Sequence, residues 1–451
     1  MPVLSTFGAI AARGFGWVTQ LAATGAGLYA WGNNSVGQLG QGNTTSRSSP
    51  VQVGALTAWS KIGSGSDHSV AVKTDGTLWS WGYNGNGNLG LNDTVNRSSP
   101  VQVGALTTWT TVFPKGDTTH AIKTDGTLWA WGGGVYGSLG LGNTTGYSSP
   151  VQVGALTTWA SGGVGPAGFT KAIAIKTDGT LWAWGWGTAH NGADSVNSFD
   201  YTVSTPSGGP PGLDKSSPVQ IGAATNWSRV ASGYLHSLAI TTSGALYAWG
   251  DHRTGECGQG ADLTNPAFYA PSTTTDFCAA YPTDYYSNTA GAIQGYDPTF
   301  TICDAAYVTW TYFAPNTSRW GYSSPVQVGA LTTWSRVAAG NAFSVAVKTD
   351  GTLWAWGYNS NGPLGLGDTA SRSSPVQVGA LTTWATVACG RFFTLAIKTN
   401  GTLWSWGYNG NGELGSGTTA NRSSPVQVGT ATNWLSTGFS ASGNSSFAIR
   451  S

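Results

Sequence analysis

Between residues 254 and 318 the chain has no Lys or Arg, yet it carries Glu256, Asp262, Asp276, Asp284, Asp297 and Asp304. The same stretch holds Tyr269, Tyr281, Tyr285, Tyr286, Tyr296, Tyr307, Tyr312 and Trp310. Aromatic rings beside carboxylates suit sugars, whose C–H faces stack on rings while their hydroxyls need acceptors. Tyr281, Asp284, Tyr285, Tyr286, Tyr296, Asp297 and Trp310 are therefore candidate contacts for a glycan or a partner. Trp186 and His190 join them from a second irregular stretch. The competing reading is that these rings pack the segment against its scaffold. An Asp-rich loop also suits Ca²⁺, but no EF-hand-like spacing is present, so no metal site is expected.

Other reactive residue types lead nowhere catalytic. Cys278 and Cys303 can close the aromatic stretch as a disulfide stabilising by roughly 3 kcal/mol, with Cys257 as a competing partner. Cys389 reads as a buried thiol, and without Cys-x-x-Cys spacing a zinc site is not expected. His68 and His236 occupy equivalent repeat positions where Phe343 and Phe393 stand in other copies, which assigns them to the core. His120 is two residues out of that register, and His190 and His252 fall in irregular loops. No Ser-His-Asp or paired-carboxylate spacing appears, and Gly132–Gly134 lacks the lysine and helix of a phosphate loop. Lys73, Lys123, Lys176, Lys348 and Lys398 precede turns, while Arg47, Arg97, Lys215, Arg372 and Arg422 precede a Ser-Ser-Pro step. Both sets read as solvated structural positions. No catalytic residue and no cofactor is expected.

A strict internal repeat must position these residues. Leu-Trp/Tyr-Ala/Ser-Trp-Gly recurs at 28–32, 78–82, 128–132, 181–185, 246–250, 353–357 and 403–407. Each copy is followed by Ser-Ser-Pro-Val-Gln-Val/Ile-Gly. A period of about 50 residues fits one four-stranded propeller blade. In the second copy, Ser-Val-Ala-Val-Lys at 69–73 reads as a strand and Thr-Asp-Gly-Thr at 74–77 as a hairpin turn. The returning strand is 78–81, and 101–103 is the outer one, with Pro100 at its start where a missing N–H is tolerated.

Of the 23 Trp, only Trp17, Trp186, Trp310 and Trp320 fall outside the repeat. Burying one such ring stabilises by roughly 4–6 kcal/mol before side-chain entropy is deducted. The expected fold is all-β, a seven-bladed propeller of four-stranded blades. The chain starts with the last two strands of a blade and ends with the first two, so these halves should share one blade and leave no free edge.

The His-Ser-x-Ala strands at 68–71 and 236–239, the Thr-Asp-Gly turns, the Trp-Gly pairs and Asn-x-x-Gly-x-Leu-Gly at 34–40 resemble repeats of the regulator of chromosome condensation 1 (RCC1) family. The resemblance covers residues 28–451 and implies the same seven-bladed propeller. Residues 1–27 fall outside it. This leader carries Phe7, Arg13, Phe15 and Trp17, lacks the basic start of an export signal, and reads as a docking segment similar to leaders of tailed-phage structural proteins.

The repeat breaks in two places, both between the Trp-Gly strand and the Ser-Ser-Pro strand: residues 186–215 in the fourth copy and 251–322 in the fifth. Neighbouring blades should bring these enlarged loops together on one face, where binding on a rigid scaffold usually sits. Charged residues make up 9% of the chain and net charge is +1, so no electrostatic footprint for nucleic acid exists. No apolar run is long enough for membrane insertion. The expected function is non-enzymatic binding. A phage virion component recognising a host glycan or neighbouring virion subunits comes first, and a bacterial cell-surface adhesin or filament component second. An exchange factor like some family members, or a glycan hydrolase, ranks below both. The expected location is a virion or the cell exterior.

Overall fold

The computed structural model describes residues 25–165, 171–186, 214–252, 254–260, 286–287, 293–294 and 321–451. The leader 1–24, with Phe7, Arg13, Phe15 and Trp17, therefore lies outside the described residues. Seven four-stranded antiparallel sheets form the ring, and a two-residue hairpin, Tyr286–Ser287 with Ile293–Gln294, stands apart from them. Blades 1 to 6 begin at Trp59, Trp109, Trp159, Trp227, Trp334 and Trp384. Blade 7 joins Gly27–Gly32 and Arg47–Gln52 to Trp434–Ser442 and Ser445–Arg450. Gly27 pairs with Arg450 and Gly32 with Ser445, so the two ends of the chain close the ring as the sequence requires. The first strands of neighbouring blades pack against each other around the central channel.

Tryptophan geometry explains why the repeat is so strict. Trp31, Trp81, Trp131, Trp184, Trp249, Trp356 and Trp406 are fully buried between blades. In four blades the Trp that opens the first strand meets this ring edge to face, as Trp109 meets Trp131 at 6.1 Å. The indole N–H of Trp131 donates to the carbonyl of Asn88 in blade 1 at 2.9 Å. The same bond runs from Trp81 to Gln38, Trp184 to Ser138, Trp356 to Glu256, Trp406 to Pro363 and Trp31 to Glu413. Six of the seven blades are thus fastened to the loop of the one before, while Trp249 Nε1 in blade 4 is buried without such an acceptor among the described residues. A glycine two residues beyond the accepting carbonyl lets that loop approach: at Gly90, with φ +70°, a Cβ would stand 2.8 Å from Trp131 Nε1.

The Thr-Asp-Gly turns close with equal regularity. Asp75 Oδ1 accepts from Thr77 N and Oγ1, and Thr77 Oγ1 accepts from Trp79 Nε1. Four of the five lysines before these turns are buried rather than solvated, which corrects the reading from sequence, and Lys73 is half-buried. Lys123, Lys176, Lys348 and Lys398 are buried, with Nζ 3.4–3.7 Å from the ring centroids of Trp129, Trp182, Trp354 and Trp404. The arginines before the Ser-Ser-Pro step stay nearer solvent, and Arg97 and Arg372 pair with Asp93 and Asp368 at 2.6 Å.

His68 and His236 are core residues, as Phe343 and Phe393 are. Burial holds both imidazoles down to about 3, and His120 down to about 4. Because these folded-state values lie below the ordinary 6.5, the unfolded chain binds more protons as pH falls beneath 6.5, and stability is lost there.

Two predictions follow from packing. Gly90→Ala should lower stability by about 1–3 kcal/mol more than Gly104→Ala, whose added Cβ meets nothing within 4 Å at a similar φ of +60°. Denaturant melts of both variants check the difference. The double variant H68F/H236F should lose about 2–3 kcal/mol per replaced histidine less than the parent between pH 7 and 4.5. Equal acid limbs in urea titrations would show that these imidazoles are not held neutral.

Candidate binding face

Within each blade, the turn joining the first two strands and the loop joining the last two lie at the same end. Together they make one face of the ring. The loop is anchored by a buried Asn: Asn34 Nδ2 donates to the carbonyls of Asn43 and Thr45, and its Oδ1 accepts from Leu39 N. Asn84, Asn359 and Asn409 repeat the arrangement. The inner turns bond to one another around the channel mouth. Ser66 N donates to Gly116 O, Tyr234 N to Asn341 O, Asn341 N to Arg391 O and Arg391 N to Gly443 O, at 3.0–3.1 Å.

The tips of these turns do not repeat. They present Ser66 and Asp67, Asp117, Tyr234, Asn341, Arg391 with Phe392, and Asn444. Burial raises Asp67 and Asp117 above the usual carboxylate range, while Arg391 pulls Asp67 back. The opposite face is uniform by comparison, with Leu106, Leu156, Leu331 and Leu381 each 45–49% exposed at one repeat position.

Both enlarged loops root on the varied face, in the adjacent blades 3 and 4. In blade 3, Trp186 leaves the Trp-Gly strand half-buried, its ring 6.2 Å from Tyr136 of blade 2. In blade 4, residues 254–260 keep the ordinary loop: Gly255 and Gly258 hold the positions of Gly37 and Gly40, and Glu256 O takes the Trp356 bond. The enlargement proper therefore starts after Gly260, and Glu256 and Cys257 belong to the scaffold. Tyr286 pairs with Gln294 in the short hairpin. His190, Tyr281, Asp284, Tyr285, Tyr296, Asp297, Trp310, Cys278 and Cys303 lie outside the described residues. Cys257 and Cys389 are buried free thiols. Burial raises both, Cys389 to about 12, so neither supplies a thiolate. Among the described residues no cluster of metal-ligating side chains occurs.

Beneath the root of the larger loop sits a group that the sequence reading passed over. Lys171 is 4% exposed, and its Nζ donates to His236 O at 3.1 Å and Ser237 Oγ at 3.2 Å in blade 4. It stands at the register position of His68, Thr118, His236, Phe343, Phe393 and Ser445, each paired with a Trp-Gly glycine. A Lys in a column otherwise free of amines was the available signal. Asp251, His252 and Glu256 are also buried, and His252 stacks on Tyr322 at 4.9 Å. His252, assigned from sequence to an irregular loop, is thus a packed residue. Glu256 Oε2 accepts from Thr254 N and Oγ1, yet burial and the neighbouring Asp251 push its carboxyl up to about 7. Burial holds the Lys171 amine down to about 7.

Two models described as the regulator of chromosome condensation (RCC1) repeat match the chain. The first covers residues 26–72, 75–113, 125–164, 350–397 and 400–449, and the second 59–88, 227–259, 334–362 and 384–413. The chain is built of RCC1 repeats. This RCC1-repeat propeller is 27% identical to the ultraviolet-B receptor UVR8 of Arabidopsis thaliana over 216 residues, 46% of this chain and 43% of the receptor. The matched stretch spans less than half the length of the curated relatives. Among solved structures it resembles Prp20p from Saccharomyces cerevisiae, whose binding to Gsp1p and histones has been described. The TM-score is 0.69 at 18% identity, over 95% of this chain and 92% of that one. Human WBSCR16 matches with a TM-score of 0.68 at 16% identity, over 94% and 98% of the two chains. At these identities the structural likeness speaks for the fold of the RCC1-repeat propeller.

The buried amine yields a prediction. Since its folded value lies below the ordinary 10.5, the unfolded chain binds more protons between pH 7 and 10.5, and its burden on stability fades as pH rises. Lys171→Met should therefore stabilise the RCC1-repeat propeller relative to the parent at pH 7, by about 3 kcal/mol more than at pH 9.5. Urea denaturation at the two pH values measures this difference.

Proposed function

We propose that this chain is a non-enzymatic binding scaffold that engages a protein partner through the face carrying both enlarged loops. One observation carries this reading. The seven blades repeat closely, whereas the described turn tips on this face differ from blade to blade and both insertions root among them. A ring fastened by tryptophan bonds supplies rigidity, and the varied tips supply specificity. Burial keeps the described histidines uncharged and the thiols protonated, which favours binding over catalysis. Prp20p is described as binding Gsp1p and histones, and UVR8 as a receptor, so a regulatory role through protein contact fits the relatives best. The overall charge of +1 offers little for direct nucleic-acid binding.

A second reading has one observation in its favour. The acid- and aromatic-rich composition of residues 254–318 suits a host glycan, as a virion or cell-surface component would need. Replacing residues 261–320 by a link copied from residues 43–46 separates the two. The excised variant should melt within a few degrees of the parent, and binding of Gsp1p or histones should fall at least tenfold in interferometry. Glycan-array binding without protein binding would favour the surface reading. Undiminished protein binding by the excised variant would remove this face from the proposal.

A further inference from the structure

The loops that join the last strand of one blade to the first strand of the next lie on the face opposite the varied turns. At one position in these loops stand Leu56, Leu106, Leu156, Leu331 and Leu381, with Ala224 and Ala431 at the two remaining junctions. Leu106, Leu156, Leu331 and Leu381 are 45–49% exposed. Each loop lies beside the turn that joins the second and third strands of its blade, and Trp109 N donates to Gly76 O of such a turn at 3.1 Å. Blade 7 has no such turn, because its second and third strands come from opposite ends of the ring. There Ala26 takes the place of Gly76, and Trp59 N donates to Ala26 O at 3.4 Å. The chain therefore enters the ring on this face, at the junction of blades 7 and 1 that carries Leu56. Of the five leucines, Leu56 is the half-buried one, packed on the cluster that contains Ala26.

Residues 1–24 are joined to the ring at this point. They carry Phe7, Ile10, Phe15, Trp17 and Leu21, with Arg13 as their one charged side chain. Asp75 and Asp125, exposed on the turns beside Leu106 and Leu156, offer the opposite charge. Leucines fill the three consecutive junctions that start at the entry point, Leu56, Leu106 and Leu156, whereas the junction on its other side holds Ala431. An extended chain of 24 residues reaches about 80 Å and packed sheets stand about 10 Å apart, so Leu156 is well within reach.

We propose that the leader, residues 1–24, docks on its own ring, laid over Leu106 and Leu156 with Arg13 toward the Asp75 and Asp125 turns. Apolar side chains of leader and ring leave water together, and the charge contact fixes the register of the segment. Tethering beside the site makes the contact intramolecular and raises its effective concentration. The docking does not depend on what the varied face binds, because the two faces lie at opposite ends of the strands.

Arg13 is the sole trypsin site before Arg47, so the cut after it reports whether the segment is covered. Limited trypsin digestion of the full chain, read by mass spectrometry, tests the proposal. The cut should be slow in the parent and faster by about tenfold or more in the double variant L106S/L156S, since proteolysis follows the population of the open form. Leu331→Ser, at an equally exposed leucine off this path, should be cut at the parent's rate. All three proteins should melt together, because the substituted side chains lie at the surface. Amide exchange over residues 1–24 should speed up in the double variant alone. Equal cutting of the parent and the double variant would overturn the proposal. So would a parent that scatters light as a dimer and becomes a monomer in the double variant with cutting unchanged, which would give the leucine face to a second copy of the chain.

Discussion

The structure depends on one bond repeated at six of the seven blade junctions, from a buried indole N–H to a backbone carbonyl in the preceding blade. A dry interface makes such a bond strong, and leaving either partner unmet would be expensive. The accepting carbonyl is often used twice. Asn88 O also accepts from Thr119 Oγ1, Glu256 O from Ser344 Oγ, Pro363 O from Thr394 Oγ1 and Glu413 O from Ser446 Oγ. Because the acceptor belongs to the main chain, its side chain is free to vary. Gln38, Asn88, Ser138, Glu256, Pro363 and Glu413 all serve. What cannot vary is the Trp and the glycine that lets the loop reach it.

That division explains what was legible in the sequence. Blade number, strand order and the shared closing blade follow from the spacing of Trp-Gly and Ser-Ser-Pro, because those residues make the contacts that define the fold. His68 and His236 could be placed in the core because Phe fills the same column elsewhere. The lysines before the turns were misread, since a formal charge says nothing about the two tryptophans that flank it in three dimensions. Lys171 was passed over for the opposite reason. Its blade is the one where Ala172 replaces the hydroxyl of Ser69 or Thr119, and only the register between blades shows the amine reaching Ser237. Of the candidate ligand contacts, Trp186 and Tyr286 are placed on the varied face and in a short hairpin, and sequence composition remains the argument for the rest.

The lysine and tryptophan columns also show how a chain so poor in charge uses the cations it has. Five of its lysines are inserted between rings, where the alkyl stems cover apolar surface and the ammonium groups meet the π faces. Turn carboxylates such as Asp125 and Asp350 stand close enough to favour the charged amine. Few charges therefore remain on the surface to repel a neighbouring macromolecule, and recognition falls to shape, hydroxyls and rings.

The closing blade has a mechanical consequence. Gly27 lies opposite Arg450, and Arg450 Nη2 also donates to the hydroxyl of Tyr29 across 421 positions of sequence. The chain thus enters and leaves the ring at one end of a single antiparallel strand pair. Force applied between those two points would peel the pair apart one hydrogen bond at a time, the weakest way to load a sheet. Force applied across the blades would have to break many tryptophan contacts together. A ring so built holds firm when pulled through its faces and unzips when pulled by its ends.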